Sequence, residues 1–240
     1  ASAVTIPNRI VHSLKGCGLV FLTGRSGIIY NRSMFPVGNQ SLKPAKSVRR
    51  VLVVIGIGLA LSLFGDATLY AVLPNPDIAA QAGVSIGMVG VLLGINRFTR
   101  LLSNGPAGAL FDRLPRRGLM IAAMLLGTFS TSLYALGHGA VIMLIARILW
   151  GLSWSGIWIG AGTMALDISD EKNRGRINGG LQLGFLLGAA LSSFSGGLFT
   201  DLFGYRGGLG FSAGLGLAGV LVWWFFLPET RPERPAAAVS

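Results

Sequence analysis

Six long apolar runs dominate the sequence from residue 51 onward. They cover about residues 51–74, 85–110, 118–137, 139–164, 177–199 and 207–227. Each is near or above the ~20 residues that a helix needs to cross the hydrocarbon core of a bilayer. Backbone groups inside a bilayer must find their hydrogen bonds within the protein, so such runs are helices. The sequence therefore predicts an all-α membrane protein with six transmembrane helices.

The composition agrees with helices packed in a membrane. Of the 240 residues, 52% are hydrophobic, only 12% are charged and 36 are glycine, which is too apolar for an ordinary soluble domain. Cys17 is the single cysteine, which rules out an internal disulfide and a cysteine-built metal site. His12 and His138 lie far apart. We therefore expect no metal site and no cofactor.

The positive charges indicate which loops face the cytoplasm. The loops at 113–117 and 165–176 each carry three Lys or Arg residues, whereas those at 75–84 and 137–140 carry none. Short cationic loops stay on the cytoplasmic side, so both termini are expected there, in a bacterial inner membrane. Topology thus accounts for the net charge of +11, and we expect no nucleic-acid partner.

The chain divides into a basic leader, a membrane domain and a short tail. Residues 1–50 contain no Asp or Glu and predict a disordered cytoplasmic tail. A transit peptide, or a fragment with a misassigned start, fits the same composition. Residues 51–230 form the six-helix domain, and 231–240 a cytoplasmic tail or the start of a linker to a missing second half.

The loop after the second run carries the most specific motif. Residues 108–117 read Gly-Ala-Leu-Phe-Asp-Arg-Leu-Pro-Arg-Arg. Gly108 permits close helix approach on the face that carries Asp112. The stretch resembles the signature loop of the major facilitator superfamily, G-x-L-a-D-r-x-G-r-[RK], with Pro115 at a position that is usually glycine. A loop that is basic only for topology explains the same residues.

The resemblance implies the amino-terminal six-helix half of such a transporter, built as two inverted three-helix repeats. The echo of Gly108 and Asp112 in Gly197 and Asp201 agrees with that repeat. The implied function is secondary transport of a small molecule by alternating access, coupled to protons and directed outward. Its partners are the substrate, protons, the lipid bilayer and a second six-helix half, in the same chain or another subunit. The alternative is a half-length membrane scaffold that does not transport. The sequence shows no enzyme site.

Asp66 lies within the first run and is a candidate for proton coupling, because an ionisable group at membrane depth is costly and therefore functional by default. Ser62 and Tyr70 lie four residues to either side, on the same helix face, and are expected to line a substrate cavity with it. A position near the outer surface, where the carboxylate merely ends a helix, is the alternative.

Arg147 and Gly151 in the fourth run resemble the family motif R-x-x-x-G, whose arginine is implicated in proton coupling. Trp154 and Trp158 project on nearly the same line as Arg147 and are expected to face the cavity. Simple packing of the tryptophans against neighbouring helices is the alternative.

The second run carries two arginines, and each needs either a counter-charge or a side chain that reaches the lipid headgroups. Arg97 is expected to pair with Asp66 or to contact an anionic substrate. Arg100 is expected to extend to the cytoplasmic headgroups.

Acids after the fourth run complete a predicted cytoplasmic gate. In relatives, an acid at the position of Asp167 accepts the arginine that corresponds to Arg116. The resemblance therefore implies a latch of Asp112, Arg116 and Asp167, with Gly108, Arg113 and Arg117 in the same loop. A loop of mixed surface charges is the alternative.

Overall fold

The computed structural model describes residues 45–231, which form helices and no strands. The helices are α1 Ala45–Val72, α2 Pro76–Gln81, α3 Ile86–Arg113, α4 Arg116–Leu136, α5 Ala140–Asp167 and α6 Arg174–Phe226. All except α2 are long and apolar enough to cross a membrane. The predicted all-α membrane fold is confirmed.

The helix α6 contains two crossings. Its 53 residues are far more than a single span requires, and Gly204 interrupts it with φ 72° and ψ 172°. Essentially only glycine adopts this backbone conformation. The rings of Phe199 and Phe211, on either side of Gly204, stack with centroids 4.0 Å apart, so the chain reverses direction there. The segments 174–203 and 205–226 therefore give the predicted six crossings.

The first of these segments runs parallel to α1. A Cβ at Gly184 would lie 3.3 Å from the Cα of Gly56, and one at Gly188 would lie 2.5 Å from the Cα of Ala60. Both contacts advance by four residues in the same direction. The absence of side chains at these glycines lets the two backbones approach closely.

The second segment runs antiparallel to α1. The indole Nε1 of Trp223 donates to the backbone oxygen of Val54 at 3.1 Å. Farther along α1, the hydroxyls of Thr68 and Ser212 lie 3.3 Å apart. The contacts move back along α6 as they move forward along α1, so α1 packs against both segments, parallel to the first and antiparallel to the second.

Apolar clusters fill the two ends of the bundle and leave a polar layer between them. The cluster where α1 begins includes Leu63 and Trp150, and the cluster where α1 ends includes Leu69 and Ala146. Asp66 follows Leu63 and precedes Leu69, while Arg147 lies between Ala146 and Trp150. The order of residues along α1 and α5 therefore puts these two charges at the same level.

The outer surface of the bundle is apolar. Leu101 is 75% exposed, Phe194 76% and Leu136 79%. Large apolar side chains exposed to this extent fit hydrocarbon rather than water.

Two local expectations are corrected. The helix α1 begins at Ala45, so residues 45–50 of the predicted tail are helical, with Arg49 and Arg50 exposed at its start. The remainder of both predicted tails, 1–44 and 232–240, lies outside the described residues. The sequence interpretation also missed α2, a short helix of six residues. The Asn75 side chain caps its start by accepting the backbone N–H of Asp77 at 2.9 Å.

Candidate functional site

Asp66 lies at the centre of a buried charge cluster. Asp66 is 7% exposed, and its carboxylate contacts two guanidinium groups. The Arg147 Nη1 donates to Asp66 Oδ1 at 2.5 Å, and the Arg100 Nη2 lies 3.5 Å from Asp66 Oδ2. Three helices, α1, α3 and α5, thus converge on one carboxylate, which is an inside position rather than a helix end near the surface.

Arg147 is enclosed on all sides. It has no exposed surface, and its guanidinium carbon lies 4.7 Å from the ring centroid of Tyr70 and 5.6 Å from that of Tyr134. Aromatic faces attract a cation, and the attraction strengthens where water is absent. Asp66 is nevertheless the one anion that this arginine meets among residues 45–231.

Arg100 does not extend to the cytoplasmic headgroups, so that expectation was wrong. Its side chain is 19% exposed, and its guanidinium lies 5.1 Å above the Trp154 ring and beside Asp66. Helical side chains lean toward the amino terminus of their helix. On α3 that direction leads toward the level of Asp66 and away from the 113–117 loop.

The expected pairing of Arg97 with Asp66 is also wrong, because Arg147 and Arg100 occupy the carboxylate. Arg97 is exposed and forms no ion pair within the part of the chain that the structure describes. Nor does Ser62 reach Asp66, since its hydroxyl donates to the backbone oxygen of Leu59 on its own helix at 2.7 Å. Its neighbour on the same face, Tyr70, donates to the Leu93 oxygen of α3 at 3.1 Å and contributes its ring to the cluster.

A row of aromatic rings continues from the charge cluster along α5. Trp154 and Trp158 stack with centroids 5.9 Å apart and planes 16° from parallel. The ring of Phe185 on α6 packs against both, with its centroid 5.8 Å from that of Trp154 and 5.4 Å from that of Trp158. Trp158 is only half-buried. The row therefore combines packing within the domain, which was the alternative interpretation, with one indole at its open edge.

Asn96 is a site residue that the sequence interpretation passed over. It is completely buried on α3, and neither atom of its amide has a hydrogen-bond partner in the described chain. The Arg147 Nε and Nη2 and the Tyr134 hydroxyl are likewise without partners there. Buried polar groups are nearly always paired, so this concentration makes Asn96 and its neighbours candidate site residues. The available signal was an amide inside an apolar run, four residues before Arg100 and on the same helix face.

The expected latch forms in part at the other end of the bundle. Arg116 Nε donates to Asp167 Oδ2 at 3.2 Å, with both side chains about nine-tenths buried. The hydroxyl of Thr230 donates to the same oxygen at 2.9 Å. This joins the start of α4 to the end of α5 and to the segment after α6.

Asp112 is not part of the latch through its carboxylate, which is exposed. Its backbone oxygen instead accepts from Arg231 at 3.0 Å, and the oxygen of Arg113 accepts from the same guanidinium at 2.7 Å. Arg117 donates to the backbone oxygen of Trp224 at 2.5 Å. A cation at the carboxyl end of α3 satisfies carbonyl groups that the helix leaves unpaired.

Gly108 does not mediate close packing within this domain. Apart from its chain neighbours and its own helix backbone, no atom of the described residues lies within 4 Å of a Cβ built there, so the expected helix contact is absent from this part of the chain.

A carboxylate that the sequence interpretation did not select holds the 113–117 loop in place. Glu229 accepts the backbone N–H groups of Arg116, Arg117, Thr230 and Arg231 at 3.0–3.1 Å. Burial raises the pKa of the Glu229 carboxyl, but these four hydrogen bonds lower it more, so the pKa lies below its usual range. Two of the donors open α4, where the helix dipole favours an anion. Long-range acceptance of backbone N–H groups has no signature in the sequence.

No group of three His, Cys, Asp or Glu side chains that could bind a metal occurs within residues 45–231. The site consists of a charge cluster, an aromatic row and a clamp at the end of the bundle that carries the 113–117 loop. The clamp is formed by Arg116, Asp167, Thr230 and Glu229. All three parts of the site belong to the segment for which a family match exists. The sequence model of the Major Facilitator Superfamily matches residues 55–240. The chain belongs to this superfamily.

Individual relatives agree with the assignment. The chain is 31% identical over 200 residues to the inner membrane transport protein YnfM of Escherichia coli, covering 79% of this chain and 45% of YnfM. It is 23% identical over 147 residues to the quinolone resistance protein NorA of Staphylococcus aureus, covering 60% of this chain and 35% of NorA. The chain therefore spans less than half the length of these relatives.

A solved structure shows the same fold. The human organic anion transporter MFSD10 superposes with a TM-score of 0.60 at 22% identity, covering 79% of this chain and 49% of MFSD10. The predicted family and six-helix fold are confirmed.

Proposed function

We propose that this chain forms the amino-terminal half of a secondary transporter that moves a small molecule by alternating access, with proton coupling at Asp66 and Arg147. The observation that supports the proposal is the carboxylate of α1 held by arginines of α3 and α5 in the polar layer of the bundle. The transport function of the relatives agrees with it.

The coupling step follows from the charges. With Asp66 ionised, its negative charge holds α1, α3 and α5 together through two guanidinium groups. A proton on Asp66 removes the attraction, and in a low-dielectric interior this changes the relative stability of helix arrangements by several kcal/mol. Protonation would therefore act as the switch between inward and outward access.

The clamp at the other end provides the second part of the cycle. Arg116, Asp167 and Thr230 tie three helix ends together, while Glu229 fixes the loop between α3 and α4. We propose that this clamp holds the cytoplasmic end in a single arrangement that must change as a unit. A second six-helix half would supply the opposite wall of the cavity, since YnfM is more than twice as long as the matched region.

Export is the direction that the resemblance implies, and the name of NorA supports it. The cytoplasmic position of both termini is supported by the cationic loops at 113–117 and 165–176.

The test is transport by the complete protein in proteoliposomes under a pH gradient. Asp66→Asn should abolish accumulation against a substrate gradient while preserving downhill exchange, because only the titrating charge is lost. Asp77→Asn, an exposed carboxylate on α2, is the matched control and should behave as the parent protein. Full proton-driven accumulation by the Asp66 variant would remove that residue from the coupling step.

A further inference from the structure

The buried cluster carries one positive charge in excess. The charged side chains that meet in it are Asp66 on α1, Arg100 on α3 and Arg147 on α5, a sum of +1. The other titratable groups around it are three tyrosines and one more arginine. The tyrosines are Tyr70, Tyr134 and, behind Tyr134, Tyr205, and the exposed Arg97, one turn before Arg100 on α3, adds a further positive charge nearby. A surplus cation in the interior of a membrane domain needs a counter-charge. No further Asp or Glu of the described chain supplies it.

The excess charge is located on Arg100 rather than on Arg147. Arg147 donates to Asp66 at 2.5 Å and is sealed from solvent. Arg100 approaches the same carboxylate only to 3.5 Å, its Nε has no partner among the described residues, and its side chain is 19% exposed. A partly exposed arginine that its own carboxylate holds only loosely is suited to bind a second carboxylate through two parallel hydrogen bonds.

The surroundings of Arg100 add an apolar platform. Its guanidinium lies over Trp154, which stacks on the half-buried Trp158. The unpartnered amide of Asn96 lies one turn away on the same face of α3. A molecule with an acid group at Arg100 would therefore lay a planar body against the half-buried ring of Trp158, with a polar group one helical turn from the anchoring arginine.

We propose that Arg100 is the anchoring cation of the substrate site, and that the transported molecule is a small organic anion with a planar apolar body. The inference rests on the proposed transport function and specifies its substrate class. Asp66 and the substrate carboxylate would share Arg100, so a proton on Asp66 would free this arginine for the anion. Proton and anion then bind together, which is the relation required for cotransport. On this point the inference keeps transport as proposed above and replaces proton-exchanging export by cotransport.

The experiment measures quenching of tryptophan fluorescence in the purified complete protein by 4-nitrobenzoate. The neutral 4-nitrobenzamide and the cationic 4-nitrobenzylamine are matched probes of the same shape. We expect saturable quenching by the anion alone at millimolar concentration. Arg100→Gln should weaken it at least tenfold, Arg206→Gln on the surface should leave it unchanged, and Asp66→Asn should strengthen it severalfold.

The inference is overturned if the neutral or the cationic probe binds as tightly as the anion, if the anion does not bind, or if Arg100→Gln leaves its affinity unchanged. Should Arg100→Gln fail to fold, Arg100→Lys takes its place. The loss of affinity should then be smaller, because lysine keeps the charge but lacks the paired donors of the guanidinium group. Failure of the proposed function is read separately in proteoliposomes. Binding of 4-nitrobenzoate without its transport across the membrane would overturn the transport function alone. Asp66-dependent transport of 4-nitrobenzylamine would overturn the anion site alone.

Discussion

Asp66→Asn is expected to destabilise the six-helix domain more than Arg147→Met does, although both remove the same ion pair. The reason is the unequal number of partners. Asp66 neutralises two arginines, whereas each arginine has only this one carboxylate within residues 45–231. Loss of Asp66 leaves two guanidinium groups in the interior without a counter-charge, and loss of Arg147 leaves Asp66 beside Arg100.

The magnitudes follow from these two situations. Removing one partner of a buried pair and stranding the other charge costs about 3–5 kcal/mol, which is the expected loss for Asp66→Asn. Arg147→Met removes a charge-assisted hydrogen bond but strands no ion, at a cost of about 1.5–3 kcal/mol. A difference of ~2 kcal/mol corresponds to roughly 4–8 °C in the midpoint of thermal unfolding for a domain of this size.

The assay is thermal unfolding of the 240-residue chain in detergent, with both single variants and their combination. The double variant should unfold close to Asp66→Asn alone, because the interaction that the second substitution removes is already lost. Equal destabilisation by the two single variants, or a larger loss for Arg147→Met, would show that Arg100 does not share the carboxylate.

Three further predictions concern the clamp and the packing of α6. Arg116→Asp should shift the equilibrium between the closed and open arrangements of the clamp by about 1–3 kcal/mol, and Asp167→Arg in the same protein should partly restore it. Simple addition of the two losses would contradict a direct contact between the two side chains. Glu229→Gln should cost about 0.5–2 kcal/mol, the range of helix caps, measured by thermal unfolding at neutral pH. Because the pKa of Glu229 is lowered, the stability it contributes is complete above the usual glutamate range and is lost as the pH falls through the lowered value, so parent and variant should converge in acid. Gly188→Ala should cost about 1–3 kcal/mol, since its Cβ would lie 2.5 Å from the backbone of α1, whereas Gly179→Ala, with nothing within 4 Å, should cost nothing.

The sequence alone predicted the crossings because they depend on local composition. Each apolar run overlaps one observed helix or one segment of α6, and the turn at Gly204 fell in the predicted loop at 200–206. Gly184 and Gly188 are four residues apart and so lie on one helix face, and Gly56 and Ala60 are their observed neighbours.

Partners in the site were not predictable to the same degree. Helical periodicity places Asp66, Arg100 and Arg147 on faces, but it does not say which faces meet across 34 or 81 positions in the chain. Arg97 and Arg100 are both plausible partners on this basis, and only the packing of α3 selects Arg100. The Glu229 contacts use backbone donors, which every residue carries, so residue identity contains no signal for them.

The account depends on six crossings that separate the outer loops from the clamp, and labelling of single cysteines tests this most directly. In a Cys17→Ser background, Asn75→Cys and Arg206→Cys should react with an impermeant thiol reagent added to intact cells. Both positions are exposed and lie at the end of the bundle opposite the clamp, which the cationic loops predict to face outward. Lys172→Cys, exposed between α5 and α6, should react only after permeabilisation. Labelling of Arg206→Cys with the pattern of Lys172→Cys would mean that α6 does not reverse across the membrane at Gly204, and equal labelling of all three positions in intact cells would contradict the six-helix topology itself.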